Sequence, residues 1–401
     1  MGAHCLSSGF DRKIPRGGTA SVKHDGRAAY FGTADVLPLW VADMDFAAPE
    51  AVTRALAERA AHPVYGYSFY PDSLYDALTG WLKNRHGWTV QRDWIVMAPG
   101  VVPSLFATVM ACTRQGEGVI VQPPVYHPFF SAVTTNGRRL VENPLRLENG
   151  RYTMDFDHLE QCAAGGARLL LLCSPHNPVG RVWRSAELEE ILRIARRYDL
   201  AILSDEVHAD LVYPEARHTA LATLAGAHDR LITAVAPSKT FNIPGLGLSS
   251  LIVPDPAQRD ALRKIFDSLH VANTNPFSIA AFEAAYRGGE AWLDSLLVYL
   301  RENRDFVGDY LRTHLPGIRL IQPEGTYLLW LDCRGLGMND AELREFFVRQ
   351  AGVGMNPGIS FGQGGSGFMR LNIASPRNVI SAALQRIANA LHPPGPARAT
   401  R

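Results

Sequence analysis

Ala236-Pro237-Ser238-Lys239-Thr240-Phe241-Asn242 follows an apolar run at positions 231–235 and sets a lysine directly after a serine. Two other polar segments stand in the same relation to an apolar run. Ser174-Pro175-His176-Asn177-Pro178 follows 169–173, and Ser204-Asp205-Glu206-Val207-His208 follows 200–203. Short apolar runs bounded by turn residues read as buried strands. Asp205 lies 28 residues after Asn177, and Lys239 lies 34 after Asp205; each gap fits one strand–helix–strand crossover. Three strands therefore deliver an Asn, an Asp and a Lys to their ends.

The pattern around these segments agrees. Residues Glu50–Ala61 read as a helix behind Pro49, and 74–85 as a second. Positions 94–97 form a short strand, ending in Ala98-Pro99-Gly100. Val102-Pro103-Ser104-Leu105 then opens an apolar helix, with Pro103 suited to its first turn. Positions 118–122 are the next strand. Strands and helices alternate to about residue 253, which predicts an α/β fold with a mostly parallel sheet flanked by helices. A long helical stretch is expected over 276–315, leading into a second α/β portion with strand-like runs at 325–331 and 368–373.

With 401 residues, one large domain and one smaller one are expected. The divisions expected are 1–49 as an arm and part of the small domain, 50–285 as the large domain, 286–392 as the small C-terminal domain, and 393–401 as a frayed tail. A hydrophobic fraction of 47% is ample for a packed core, and a net charge of +1 gives no reason to expect nucleic acid or an acidic membrane as a partner. Five scattered cysteines (Cys5, Cys112, Cys162, Cys173, Cys333) suit a reducing cytoplasm better than a disulfide framework or a zinc site. No apolar run approaches 20 residues, and no basic-then-apolar leader pattern is present. Leu6 stands where a myristoylation motif beginning at Gly2 wants Ser or Thr.

The three strand-end residues suit one chemistry. An aldehyde cofactor with a ring nitrogen and a phenolic oxygen, pyridoxal phosphate, needs an amine to condense with, a carboxylate to keep the ring nitrogen protonated, and an amide for the phenolic oxygen. Lys239 is the amine, and once displaced by substrate it can serve as the base on Cα. Asp205 is the carboxylate that makes the ring an electron sink, although an Asp at a strand end is often only a helix cap. Asn177, in a turn between Pro175 and Pro178, supplies the amide. His208 either orients Asp205 or stacks nearby, and Glu206 reads as structural. Pro99-Gly100-Val101-Val102-Pro103-Ser104 is the phosphate candidate, because a helix start offers free N–H groups and a positive dipole end. Val101 and Val102 carry those amides, and Ser238 adds a hydroxyl. Tyr126 is expected to stack on the ring, or else to be a core aromatic. Arg370, in the apolar run Phe368-Met369-Arg370-Leu371, is either an edge-strand residue or a fork for the substrate's carboxylate. No metal site is expected.

These motifs, Ser174-Pro175-His176-Asn177-Pro178-Val179-Gly180 and Ser238-Lys239-Thr240-Phe241-Asn242 above all, resemble the class I/II aminotransferase superfamily, fold type I of the pyridoxal-phosphate enzymes. The resemblance spans about residues 10–390. Leu39-Trp40-Val41-Ala42-Asp43-Met44-Asp45-Phe46 and Tyr65-Gly66-Tyr67 are similar to its MalY/PatB branch of cystathionine β-lyases and other C–S lyases. Many aminotransferases place a phosphate-gripping Arg beyond the lysine. Gly245-Leu246-Gly247-Leu248-Ser249-Ser250 has none, as is common in that branch. The resemblance implies a seven-stranded large-domain sheet, a smaller α/β domain built from both termini, and a homodimer with active sites at the subunit interface. It implies that Tyr67 reaches the neighbouring subunit's phosphate, and that Trp40 and Asp43 lie on the substrate side; the alternative for that segment is a bridging arm with its Trp buried.

The activity expected is α,β-elimination from an L-amino acid bearing sulfur on Cβ, such as cystathionine or another cysteine S-conjugate, giving a thiol, pyruvate and ammonia. An aminotransferase shares the early steps and is the alternative. A non-catalytic regulatory protein on this scaffold is the third reading, against which the intact Lys239, Asp205, Asn177 and Arg370 argue. No fused helix-turn-helix segment is expected.

Overall fold

The structure, a computed structural model, describes residues 9–226, 228–271 and 275–392. Cys5, Leu6 and the tail expected at 393–401 lie outside the described residues. The chain forms two compact units, one of Ala48–Asp294 with Pro323–Thr326, the other from Met1–Ala47, Ser295–Gln322 and Tyr327–Arg401.

The first unit is built on seven strands: β1 (Ile95–Ala98), β2 (Gly118–Val121), β3 (Arg139–Glu142), β4 (Ala167–Cys173), β5 (Ala201–Asp205), β6 (Leu231–Val235) and β7 (Ser249–Ile252). Their order is β1-β7-β6-β5-β4-β2-β3. Every pairing is parallel except those of β7, which runs antiparallel to both β1 and β6. All residues of β1, β2, β5, β6 and β7 are buried. A sheet covered on both faces needs apolar side chains on both, which is why β1 and β2 and most of β5 and β6 appear in the sequence as apolar runs, while β7 opens on two buried serines. Val119, Leu169, Leu203, Ile232 and Leu251 share one core cluster with Leu105 and Val109 of a covering helix.

Helix α1 (Glu50–Ala61) starts directly after Pro49, as expected. Helix α2 (Asp72–His86) begins two residues before the expected start and stops at Gly87, whose φ of +65° is a left-handed cap. Helix α3 (Val101–Cys112) follows Gly100, whose φ of +147° is open only to glycine. Helix α4 (Ser185–Tyr198) links β4 to β5, and the four-residue helix α5 (Pro237–Thr240) follows β6. The helical stretch expected over 276–315 divides at Gly289 into α6 (Pro276–Gly288) and α7 (Glu290–His314). A Cβ at Gly289 would lie 2.3 Å from the Phe241 ring, so packing at the break excludes any side chain.

The second unit contains β8 (Arg319–Ile321), β9 (Leu328–Asp332), β10 (Asn356–Pro357) and β11 (Phe368–Asn372). They form an antiparallel sheet in the order β8-β9-β11-β10. Strand β11 is therefore interior, and the edge-strand reading of Arg370 is excluded.

The turn after β4 depends on Gly180, at φ +70°. Its carbonyl accepts the N–H groups of Glu324 (2.7 Å) and Gly325 (3.1 Å), and a Cβ there would approach the Pro323 Cβ to 2.5 Å. Gly180→Ala combines a left-handed backbone with a steric overlap, and is expected to lower the unfolding free energy by roughly 2–4 kcal/mol, read from urea denaturation. A midpoint equal to wild type would show that the turn relaxes freely.

Candidate active site

Strand register sets the site. Cys173 on β4 pairs with Asp205 on β5, and Asp205 pairs with Ala234 on β6. The chain continues this alignment past the strands, since the Ser174 amide bonds the Asp205 carbonyl and the Glu206 amide bonds the Ala234 carbonyl, both at 2.9 Å. The segments holding Asn177, Asp205 and Lys239 thus leave three adjacent parallel strands side by side at one sheet end.

Asn177 is buried in a tightly determined turn. Its N–H points to the Cys173 sulfur (3.5 Å), whose thiol is 3.3 Å from the Pro175 carbonyl. His176 donates Nε2–H to the Pro124 carbonyl at 2.9 Å, and burial pulls its pKa down to about 4, so its ring is neutral. Arg181 closes the turn from below: its guanidinium bonds Glu324 (2.8 Å) and Glu187 (2.8 and 3.0 Å).

Asp205 is 5% exposed, and its Oδ1 accepts the Val207 N–H at 3.1 Å. It caps no helix; the chain beyond it is a turn. Burial pushes its carboxyl up to about 7, while the Val207 N–H and the nearby Lys239 charge pull against that and Glu206 reinforces it. Lys239 and Ser238 are half-buried on α5, and His208 is buried. Glu206 takes Ser204 Oγ (2.9 Å), the Leu221 N–H (3.0 Å) and His218 Nε2 (2.9 Å), an architectural role.

At the same sheet end, α3 begins without a side-chain cap. Val101 and Val102 are half-buried in its first turn, with amides that a helix cannot satisfy internally. Ser104 Oγ bonds the Gly100 carbonyl at 2.9 Å, which firms that turn. Tyr126 is partly buried against the core cluster, its ring 4.8 Å from that of His127. A buried carboxylate beside an amine, an amide one strand over, and open N–H groups at a helix start are the donor and acceptor set that pyridoxal phosphate requires. Tyr67 stands apart on the segment 62–71, at 108% exposure, with Phe69 at 81%.

In the second unit Arg370 is 4% exposed. Its Nη2 donates to the Trp40 carbonyl (3.0 Å) and to Asn356 Oδ1 (2.8 Å), and the guanidinium lies over the Phe361 ring at 4.8 Å. Such a fixed fork is preorganised for a carboxylate. The side chains of Trp40 and Asp43, expected on the substrate side, make contacts within this unit. The Trp40 indole is buried, stacks on Tyr30 at 4.1 Å and donates to the Lys23 carbonyl at 3.0 Å. Asp43 takes two bonds from Arg16 (2.6 and 2.9 Å) and lies 3.7 Å from Lys23. Asp45 holds Lys23 and Arg16, each at 2.8 Å. Burial would raise Asp45's carboxyl, but Lys23, His24 and Ser375 hold it far below the usual range.

The sequence reading missed three contributors. Asn356 aims Arg370. Cys173 braces the Asn177 turn. Asp210, two residues past His208, is the acceptor for Trp81 Nε1 (3.0 Å), His86 Nε2 (2.7 Å) and Thr240 Oγ1 (2.8 Å). Asp210 ends a turn that also holds His208 and follows Asp205-Glu206, so no local signal singles it out, and nothing local marks the other two.

A family model described as aminotransferase class I and II matches residues 34–387. Cystathionine β-lyase PatB of Bacillus subtilis is 41% identical, over 95% of this chain and 99% of PatB. Among solved structures, cystalysin of Treponema denticola, which contains pyridoxal 5′-phosphate, superposes with a TM-score of 0.92 at 38% identity, over 95% of this chain and 98% of that one. The pyridoxal-phosphate-bound C–S lyase of Staphylococcus hominis gives 0.89 at 33%, over 96% and 98%. The chain belongs to the class I and II aminotransferase family, in its MalY/PatB branch.

A carboxyl whose folded-state pKa is raised stabilises the fold at low pH and loses that contribution as pH climbs through the raised value. For protein freed of cofactor, the unfolding free energy of wild type relative to Asp205→Asn is expected to fall between about pH 4 and pH 7, on the order of 3 kcal/mol in all. Urea titrations across that range measure it. A flat difference would place Asp205 in water.

Proposed function

We propose that this protein is a pyridoxal-5′-phosphate-dependent carbon–sulfur β-lyase that cleaves L-cystathionine or related cysteine S-conjugates to a thiol, pyruvate and ammonia. The observation that carries the reading is the exit of Asn177, Asp205 and Lys239 from three adjacent parallel strands, with Asp205 buried within range of the Lys239 charge. The kinship with PatB selects elimination among the reactions that such a site can support.

When bound, the cofactor supplies an electron-withdrawing ring conjugated to the substrate's Cα. Asp205 keeps the ring nitrogen protonated, Asn177 donates its amide to the phenolic oxygen, and Tyr126 covers the ring. The Val101 and Val102 amides and the Ser238 hydroxyl hold the phosphate. His208, buried three residues after Asp205, orients that carboxylate or stacks nearby. Arg370 binds the substrate's α-carboxylate, and Trp40 contributes its carbonyl, which aims Arg370, rather than its ring. Lys239 Nζ, when not bonded to the cofactor, would take the Cα proton. The electron pair so freed forms the Cα–Cβ double bond as the Cβ–S bond breaks, and the sulfur leaves as a thiol after gaining a proton. Water then converts the released enamine to pyruvate and ammonia. No keto acid is consumed, which separates this reaction from transamination.

The same reading makes the protein a cytoplasmic homodimer. Cys112, Cys162, Cys173 and Cys333 are all unpaired, as a reducing compartment allows. Among the described residues no helix is long and apolar enough to cross a membrane. Val64, Tyr65, Tyr67 and Phe69 present a run of exposed apolar surface that a second copy would cover, bringing Tyr67 to the partner's phosphate.

A panel of cysteine S-conjugates, assayed for pyruvate and thiol without any keto acid, tests the activity. Lys239→Ala is expected to lose the visible absorption of bound cofactor and at least about a thousandfold in kcat. Normal turnover in that variant would refute the assignment of Lys239. Mixing Lys239→Ala with Tyr67→Ala subunits is expected to regenerate one intact site per mixed dimer, so that activity rises above that of either parent. No recovery from subunits shown to have exchanged would place Tyr67 outside the partner's site.

A further inference from the structure

Helix α5 is a single turn, held internally by the Phe241 amide on the Pro237 carbonyl (2.9 Å). One turn is far below the length at which a helix supports itself, so contacts from outside must place Lys239. Two are evident. Phe241 is fully buried, with Trp81, Tyr286 and Trp292 around it at ring separations of 5.5, 6.1 and 6.3 Å. Thr240, the residue directly after Lys239, gives its hydroxyl to Asp210 Oδ2 at 2.8 Å.

Asp210 is more than an acceptor for one hydroxyl. Its other oxygen takes Trp81 Nε1 and His86 Nε2, both on α2, and its side chain is 8% exposed. Burial would raise its carboxyl, but His86, Thr240 and Trp81 together bring it below the usual range, so the charge persists. Hydrogen bonds to a buried charge are shorter and stronger than neutral ones. The His86 ring meets His218 edge-on at 5.6 Å, and His218 is bonded to Glu206. The clamp is thereby joined to the strand end that carries Asp205.

We propose that Asp210 is a positioning residue for Lys239: through Thr240 it fixes the single-turn helix so that the lysine amine meets the cofactor and the substrate's Cα at the required angle. The inference rests on Lys239 being the amine that condenses with the cofactor. Small displacements of a reacting group cost rate far more than affinity. The clamp should therefore govern kcat and the titration of the cofactor-bound lysine, and leave KM alone.

The test compares Thr240→Val, which keeps the shape and removes the hydroxyl, with Thr240→Ser, which restores it, both as holoenzyme. Thr240→Val is expected to lose roughly 10- to 100-fold in kcat at unchanged KM, and to shift the pH midpoint of the visible cofactor band by at least about half a pH unit. Thr240→Ser is expected to recover both. Wild-type kcat and band midpoint in Thr240→Val would overturn the proposal, even with a lowered Tm, because the bond would then serve stability alone. Failure of Thr240→Ser to recover them would also overturn it. If Thr240→Val does not fold, Thr240→Ala is judged by the same criteria. Lys239→Ala is the control: if it keeps the visible band, the assignment of the lysine fails; if it loses the band while Thr240→Val behaves as wild type, only the clamp fails.

Discussion

A carboxylate shut away from water at the end of a parallel strand is unstable as an anion until a cation faces it. Asp205 is in that position, and its proton affinity has risen to near neutrality even with the Lys239 ammonium in range. The strand pairing that aligns β4, β5 and β6 fixes where the carboxylate sits, and the buried core on both faces prevents it from turning to solvent. Burial of this one acid therefore favours a positively charged group placed against it.

The second unit handles charge differently. There Arg16 and Lys23 pair with Asp43 and Asp45, which lie three and five residues after Trp40. Arg370, by contrast, is oriented by the neutral oxygens of Trp40 and Asn356. Paired charges brace the 39–46 segment, and the segment in turn lends a backbone carbonyl to the arginine. The side chains of Trp40 and Asp43 bond Lys23 and Arg16 and so hold the segment in place.

What could be read from the sequence was what local pattern dictates. Helix α1, the apolar strands and the Asn177, Asp205 and Lys239 segments each carry a short-range signal: a proline before a helix, an unbroken apolar run, a polar residue at its end. Contacts between distant residues leave no such mark. Asn356 matters because it pairs with Arg370 across β10 and β11. The break at Gly289 exists because Phe241, nearly fifty positions earlier, fills the space where a side chain would go. Asp210 is decisive only because α2, over a hundred residues upstream, delivers two donors to it. Tertiary packing decides all three, and periodicity is silent about it.

The reversed strand β7 has a consequence for how the protein is made. It lies between β1 and β6, so the sheet edge that ends in Gly100 is joined to the strand that leads to Lys239 only through Ser249–Ile252. During vectorial synthesis the amide-rich start of α3 emerges early, yet it has no sheet neighbour on the lysine side until translation passes Ile252. A nascent chain shorter than that cannot bring the start of α3 and the Lys239 segment together in one sheet.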